Sequence, residues 1–454
     1  MNGGQHRTLG LIRCLSRSAS VSVLALGDPR DERVSEARDA LADLGATLEV
    51  YQPTGPGRPE QDDEDLQRPP DACAHFRSPA LRFALEARST TAFDLAHVEE
   101  VVMAQYLDLL HCPRVIDRQK VDWAYHEAMA RVSRKGRLAH LGEAARFLHW
   151  ERRLLGAFER MLVPGVGDQR LLEPVHGSGA VSVIPIGIAD ELQPPARGTR
   201  DVRHVLLYGA LDYGPNVEAL RWFFREVWPP LRVAAPEIKV VVAGSGRLPL
   251  GAGPPRSDPR VELRGFVPDV RSVLQAPGVL VVAVRVGGGA RTKILEALAC
   301  GMPVVSTALG VENLDLVAER DYLPAETAAE TVTAIVRLTR EPALVASLGC
   351  EGVKRAERFR WSRVDELIEP IYREVASRGS RPGPSRAVVS PGAEGWLRAE
   401  IARLQAEREG LRGGPASRAT RTLRRWTRRL RRSSPLVRFE ALAHRGLVRL
   451  LRRG

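Results

Sequence analysis

The 454-residue sequence contains no run of about 18 apolar residues, so no membrane-spanning helix is expected. Its N-terminus lacks the long apolar core that a secretory signal requires. Five cysteines (Cys14, Cys73, Cys112, Cys300, Cys350) are scattered, odd in number and without a CxxC pair. That pattern excludes a disulfide framework and a cysteine zinc site, and points to a reducing cytoplasm. No clustered His/Asp/Glu spacing suggests a metal, and no cofactor is expected.

What is present is a globular composition, 44% hydrophobic, long enough for two or three cores. The net charge of +12 is not spread along it. From Arg418 onward there are 13 arginines against one acid, Glu440, so this tail carries the whole imbalance. The main body is close to neutral and needs no polyanionic partner.

Between about 200 and 320, short β-branched runs alternate with helical patterns. Strands are expected at His204–Tyr208, Ile238–Ala243, Val261–Leu263, Gly278–Val284 and Pro303–Ser306, with a helix from about Val217. Continuous apolar runs of this kind suit a parallel sheet covered on both faces, with ligands beyond the strands' carboxyl ends. The first 190 residues repeat the rhythm more weakly. Strands are expected at Ser20–Leu26, Thr47–Tyr51, Phe93–Val98, Arg114–Asp117 and Val181–Pro185, with a helix at Glu36–Leu44 and a long helical region over 124–162. The chain opens Met1-Asn-Gly-Gly, already at a glycine turn, so this first sheet is expected to lack its opening strand, for which an upstream start codon is the preferred reading. A Gly/Pro/Ser-rich linker over 377–395 precedes a helix with a narrow apolar stripe at Leu397, Ile401 and Leu404. The expected units are therefore 1–190, 191–376, the linker 377–395 and a helical, arginine-rich tail 396–454.

The stretch Val286-Gly-Gly-Gly-Ala-Arg-Thr-Lys-Ile-Leu-Glu296 concentrates the chemistry. Glycines let backbone amides approach an anion, and the following helix aims its positive end at the same point. Arg291 and Lys293 can neutralise a diphosphate as it departs, and Glu296 can accept hydrogen bonds from sugar hydroxyls. The run is not a GxxxxGK(S/T) phosphate loop, nor a GxGxxG after a first strand, so its bland alternative is a tight turn feeding an ordinary helix.

Residues 200–320 resemble the C-terminal half of family 4 retaining glycosyltransferases, enzymes of the GT-B fold. The landmarks run in order: Leu206-Leu-Tyr-Gly-Ala-Leu-Asp-Tyr-Gly-Pro-Asn-Val217, Val241-Val-Ala-Gly-Ser-Gly246, Val261-Glu-Leu-Arg-Gly-Phe-Val-Pro268, the glycine stretch, and Pro303-Val-Val-Ser-Thr307. The pattern GGGxRxKxLEA is similar to a bacterial subgroup linked to extracellular polysaccharide. A looser likeness reaches back through Arg114–Asp117 and Phe93–Glu99 to Gly3 and Gly4.

The resemblance implies an α/β, GT-B architecture of two doubly wound parallel-sheet domains facing across a cleft, plus a basic helical C-terminal extension. It implies transfer of a sugar from a nucleotide-sugar donor to a glycan or lipid-linked acceptor without a metal. Glu296 would hold the donor ribose, and Gly209, Gly287, Gly288 and Gly289 would face its diphosphate or sugar. Phe266 and Val267 would meet the base, Arg291 and Lys293 would act catalytically, and Gly3, Gly4 and His97 would lie on the acceptor side. Gly288 stands where relatives often keep a second Glu, and Ala210 and Pro215 stand where an Arg and a Lys are usual, which leaves Arg291 and Lys293 to supply that charge. Where many relatives read Asp-Glu-His-Asn-Val-Glu, this chain reads Asp117-Arg-Gln-Lys-Val-Asp122, so Gln119 replaces the His that touches the transferred sugar. A binding scaffold that has lost catalysis, or a nucleotide-sugar epimerase, are the alternatives.

In the tail, Arg424-Arg-Trp-Thr-Arg-Arg-Leu-Arg-Arg432 alternates cations with Trp and Leu, a pattern for an anionic membrane surface. Nucleic acid and a merely solvated extension are its rivals. The expected location is cytoplasmic, peripheral at the inner face of the membrane.

Overall fold

The computed structural model describes residues 3–55, 65–88, 93–133, 136–195, 202–253, 258–287, 289–378 and 392–413. Gly288 and the arginine-rich segment from 414 lie outside them, so the expectations for both stand outside the description.

The first unit starts with α1 (Gly3–Leu15), β1 (Val21–Leu26), α2 (Glu32–Ala42) and β2 (Ala46–Tyr51). It continues through α3 (Asp71–His75), α4 (Pro79–Arg88), β3 (Ala96–Glu99), β4 (Arg114–Asp117), α5 (Asp122–Val132), α6 (Arg137–Leu154), β5 (Arg160–Val163), α7 (Val166–His176) and β6 (Val181–Val183). Its strands form two parallel pieces, β1–β2 and β3–β4–β5–β6. The region 124–162, expected to be helical, holds two helices, one ending at Val132 and the next beginning at Arg137, and then yields strand β5. Arg160-Met-Leu-Val is an apolar run too short and too poor in β-branched residues to announce itself as a strand. Helix α2 begins at Glu32, four residues earlier than expected, because Asp31 caps it by accepting from the Arg33 amide.

The second unit contains β7 (His204–Tyr208), α8 (Gly214–Trp222), α9 (Trp228–Ala234), β8 (Lys239–Ala243), β9 (Val261–Gly265), α10 (Arg271–Leu274), β10 (Val279–Val282), α11 (Thr292–Ala299), β11 (Val304–Ser306), β12 (Leu323–Pro324), α12 (Ala328–Arg340) and α13 (Pro342–Ala356). The six strands run parallel in the order β12–β11–β10–β7–β8–β9. Alternate residues of the central strands feed two cores. Val205, Leu207, Val240 and Val242 join one with Phe223 and Trp228, while Leu206, Val241, Leu280 and Val282 join the other with Ile294 and Leu298. Burial on both faces is why these strands read as unbroken apolar runs. Helix α8 starts three residues before the expected Val217, because Pro215 occupies its first turn with a fixed φ and no unsatisfied N–H.

The chain then returns to the first unit. Helix α14 (Trp361–Ser377) packs Val364, Ile368, Tyr372 and Val375 with Leu11 of α1 and with Val115, Leu162 and Ile184. Helix α15 (Ala393–Gly413) buries Leu397, Ile401 and Leu404 in the core built by α5, α6 and α7. The narrow stripe is therefore a seam onto the first unit. Ion pairs Arg137–Glu407 at 2.7 Å and Arg403–Glu127 at 2.9 Å flank it. Among the described residues no helix is long and apolar enough to cross a membrane.

Candidate functional site

The carboxyl ends of β7, β8, β9 and β10 point the same way, and the loops beyond them gather the predicted donor residues. Gly209 follows β7 at φ 139° and Gly244 follows β8 at φ 155°. A Cβ on Gly244 would lie 1.7 Å from the Gly209 carbonyl oxygen, so the two loops cross in backbone contact that only glycine permits. Phe266 and Val267 follow β9. Phe266 is 65% exposed, an unusual state for a large aromatic ring, while Val267 packs on the sheet.

The glycine stretch follows β10 and runs into α11. Gly287 has φ 115°, and a Cβ there would meet Pro215 at 3.1 Å. Gly289 has φ 79°, and its Cβ would lie 2.6 Å from the Gln119 carbonyl oxygen of the first unit. The glycines therefore act in two directions: Gly287 faces α8 across the second unit, and Gly289 lets the loop rest on the opposite wall of the cleft.

Arg291 is the N-cap residue of α11, but its side chain caps nothing in that helix. Its guanidinium is buried, donates to the Gly289 carbonyl and stands 3.8 Å from the Glu312 carboxylate. Burial lowers its pKa against the pull of Glu312. Lys293 reaches across to the end of β7, donating to the Tyr208 carbonyl at 2.7 Å and to the Asn216 amide oxygen at 2.9 Å. Burial, followed by the nearby Arg291 charge, lowers its pKa to about 8. Glu296 lies one turn deeper. Burial lifts its pKa to about 7 against the attraction of Lys293, and among the described residues its carboxylate accepts no hydrogen bond.

These facts combine into one electrostatic statement. Helices α8 and α11 both begin here, and neither has a side-chain cap. Two helix N-termini, an ammonium and a guanidinium converge on Gly209 and Gly287, and among the described residues the ammonium has only neutral oxygens as hydrogen-bond partners. Glu296 and Glu312 offset part of this charge, but neither hydrogen-bonds the ammonium, which leaves the junction of the two helix N-termini suited to an anion with several oxygens.

Across the cleft, Gly3 and Gly4 form the first turn of α1, where the sequence suggested a glycine loop. Gln119 donates to the Gly4 carbonyl at 3.4 Å. His97, the second residue of β3, has both ring nitrogens engaged: Nδ1 with the Tyr372 hydroxyl at 2.6 Å and Nε2 with Glu99 at 3.1 Å. Burial opposes its charge, but the Glu99 hydrogen bond together with the Glu99 and Asp117 charges outweighs this and raises the pKa. Arg7 clamps Asp117 through two bonds of 2.7 and 2.6 Å and also donates to the Ile184 carbonyl. Among the described residues no group of three or more His, Cys, Asp or Glu side chains is arranged to hold a metal ion.

Residues 202–341 match the family described as Glycosyl transferases group 1. The matching segment spans β7 through α12 and contains every predicted donor residue. No curated protein sequence matches the chain. Among solved structures, it is similar to sucrose-phosphate synthase from Thermosynechococcus elongatus, with TM-score 0.54 and 17% identity over 79% of this chain and 100% of that one. It is also similar to HepE from Anabaena, solved with UDP and glucose, with TM-score 0.56 and 14% identity over 80% of this chain and 94% of that one. TarM gives TM-score 0.52 and 11% identity over 66% and 59%. At these identities the likeness speaks for the fold, which is GT-B: two α/β units with parallel sheets facing across a cleft.

Several participants escaped the sequence reading. Asn216 and the Tyr208 carbonyl hold Lys293, and Glu312 faces Arg291. Asn313 crosses the cleft, accepting from the Gly167 amide at 2.8 Å and donating to Asp168 at 2.8 Å. Asn313 sits between Glu312 and Leu314 in the loop after β11, and its φ of 66° is visible only in the structure.

Proposed function

We propose that the protein transfers a sugar from a nucleotide-sugar donor to a glycan or lipid-linked acceptor, with retention of configuration, in bacterial polysaccharide or glycoconjugate synthesis. The observation that carries this reading is the Lys293 ammonium, neutrally partnered where two uncapped helices begin. A departing diphosphate supplies the negative charge that this junction lacks. Glu296, without a hydrogen-bond partner among the described residues, accepts from the ribose hydroxyls. Exposed Phe266, with Val267, offers a platform to the base. Arg291 stabilises the leaving group once released from Glu312. The match of residues 202–341 to the glycosyl transferase family supports the reaction class, and the UDP and glucose held by HepE make UDP the first nucleotide to test.

The first unit, through Gly3, Gly4, His97 and the wall at Gln119, receives the acceptor. Closure brings that wall onto Gly289 and excludes water. The arginine-rich tail holds the protein at an anionic membrane surface on the cytoplasmic side, and no metal is required.

A scaffold that binds nucleotide-sugar without turning it over is the second reading, and Gln119 favours it, because its amide contacts Gly4 where the transferred sugar's partner would stand. Thermal unfolding against UDP, GDP, ADP and their sugar conjugates tests the donor site, since a ligand that binds the folded state raises its midpoint. Stabilisation by one nucleotide series supports it, and no shift with any of them overturns it. Release of nucleoside diphosphate on addition of acceptor separates transferase from scaffold.

A further inference from the structure

The Lys293 ammonium has three protons to donate, and two are committed. One goes to the Tyr208 carbonyl at the end of β7, the other to the Asn216 amide oxygen in the first turn of α8. The Asn216 amide is fixed from its other end as well, since its Nδ2 donates to the Ala210 carbonyl at 2.9 Å. Flipping that amide would aim its NH2 at an ammonium and its oxygen at a carbonyl, so only one orientation is stable. Pro215, immediately before it, sets the start of α8 and thereby the direction from which the amide arrives. Gly209 closes the cradle: a Cβ on it would lie 2.9 Å from both the Lys293 Nζ and the Asn216 Nδ2.

Neutrality is the informative part of this arrangement. A carboxylate would hold the lysine more tightly, yet among the described residues the ammonium's hydrogen-bond partners are neutral oxygens. The charged groups acting on it are Arg291, at the start of α11, and Glu296, one turn on; burial, and then the Glu296 charge, raise the pKa of the Tyr208 phenol. An amide fixes position without cancelling charge, which suits a cation whose task is to meet an anion.

We propose that Asn216 is a positioning residue that holds the Lys293 ammonium, undiminished in charge and with one proton free, against the diphosphate of the nucleotide donor. This rests on the donor-site reading above and adds a residue and a coupling to it. Asn216 does not touch the reacting atoms; it acts through Lys293.

A double-mutant cycle on the full chain tests the coupling, read as affinity for UDP, GDP and ADP in turn by calorimetry. Asn216→Ala is expected to weaken the nucleoside diphosphate that wild type binds by about 10-fold, within the range of a lost charge-assisted contact. In a Lys293→Ala background the same change is expected to have no further effect. Asn216→Asp, nearly isosteric, supplies the missing carboxylate. It also sets its second oxygen against the Ala210 carbonyl, so a weaker affinity at pH 7 is not decisive alone; the mark of a neutralised ammonium is that the alkaline loss of affinity, near pH 8 in wild type, moves to higher pH. Equal affinity in Asn216→Ala and wild type, or full additivity with Lys293→Ala, overturns the coupling while leaving the donor site standing. Failure of wild type to bind any of the three nucleotides overturns both.

Discussion

Replacing Lys293 by Met should stabilise the ligand-free protein while abolishing its response to nucleotide. The lysine is held at about pH 8 from an ordinary value of 10.5, with burial the main cause. Below pH 8 the folded state carries a charge that it disfavours, and the unfolded chain does not pay that penalty. The destabilisation is fully present below about pH 8 and disappears as pH rises towards 10.5. About 2.5 units at 1.36 kcal/mol each give roughly 3 kcal/mol. Against this stand two lost hydrogen bonds, to Tyr208 and Asn216, at about 1 kcal/mol each. The net gain at pH 7 is about 1 kcal/mol, equivalent to a rise of about 2–4 °C in the midpoint of a domain of 150–250 residues. The assay is thermal unfolding at pH 7 and pH 10, with and without nucleoside diphosphate. The gain should reverse at pH 10, where wild type has shed the proton and the lost hydrogen bonds dominate. The nucleotide-induced shift of wild type should be absent from the variant at pH 7. A variant less stable than wild type at pH 7, yet still stabilised by nucleotide, would refute the reasoning, because Lys293 would then be a structural tether.

Glu296→Gln should raise ligand-free stability above pH 7, where burial penalises the carboxylate, and weaken nucleotide binding by about 10-fold on calorimetry, the loss of a charged acceptor. Gly289→Ala should lower the rate of sugar transfer more than about 10-fold, since the new Cβ meets the Gln119 carbonyl and the φ of 79° costs about 1–2 kcal/mol; steady-state kinetics check it. Leu404→Ala should destabilise the first unit by about 2–5 kcal/mol in denaturant unfolding, because α15 belongs to that core. Deletion after Gly414 should abolish sedimentation with anionic vesicles and leave nucleotide binding intact.

The second unit was readable because its strands are doubly covered. His204-Val-Leu-Leu-Tyr208 and Lys239-Val-Val-Val-Ala243 are apolar on both faces, and each ends at a glycine whose φ no other residue adopts easily. The first unit was harder. Strand β5 is four residues long and lies beside an 18-residue helix, so the helical period dominated the window. Placement across sequence distance was not legible at all. Nothing in Trp361–Ser377 says that Tyr372 will reach His97, and nothing in Gly214–Trp222 says that Asn216 will hold Lys293. The sequence names the glycines and cations of the donor loop, whereas their partners are decided by how β7 and α11 meet.

The glycine stretch itself changes in meaning. Gly287 clears space beside Pro215, as a turn towards an anion site requires, but Gly289 serves the contact with the first unit. A single motif thus serves both the proposed donor site and the contact with the first unit.

The central claim is that a nucleoside diphosphate binds where Lys293, Arg291 and Glu296 converge. Calorimetric titration of wild type, Lys293→Met and Glu296→Gln with UDP, GDP and ADP at pH 7 tests it most directly. The account predicts that wild type binds at least one of them and that both variants bind it at least about 10-fold more weakly. Binding of equal strength in all three proteins, or none in wild type, would contradict it.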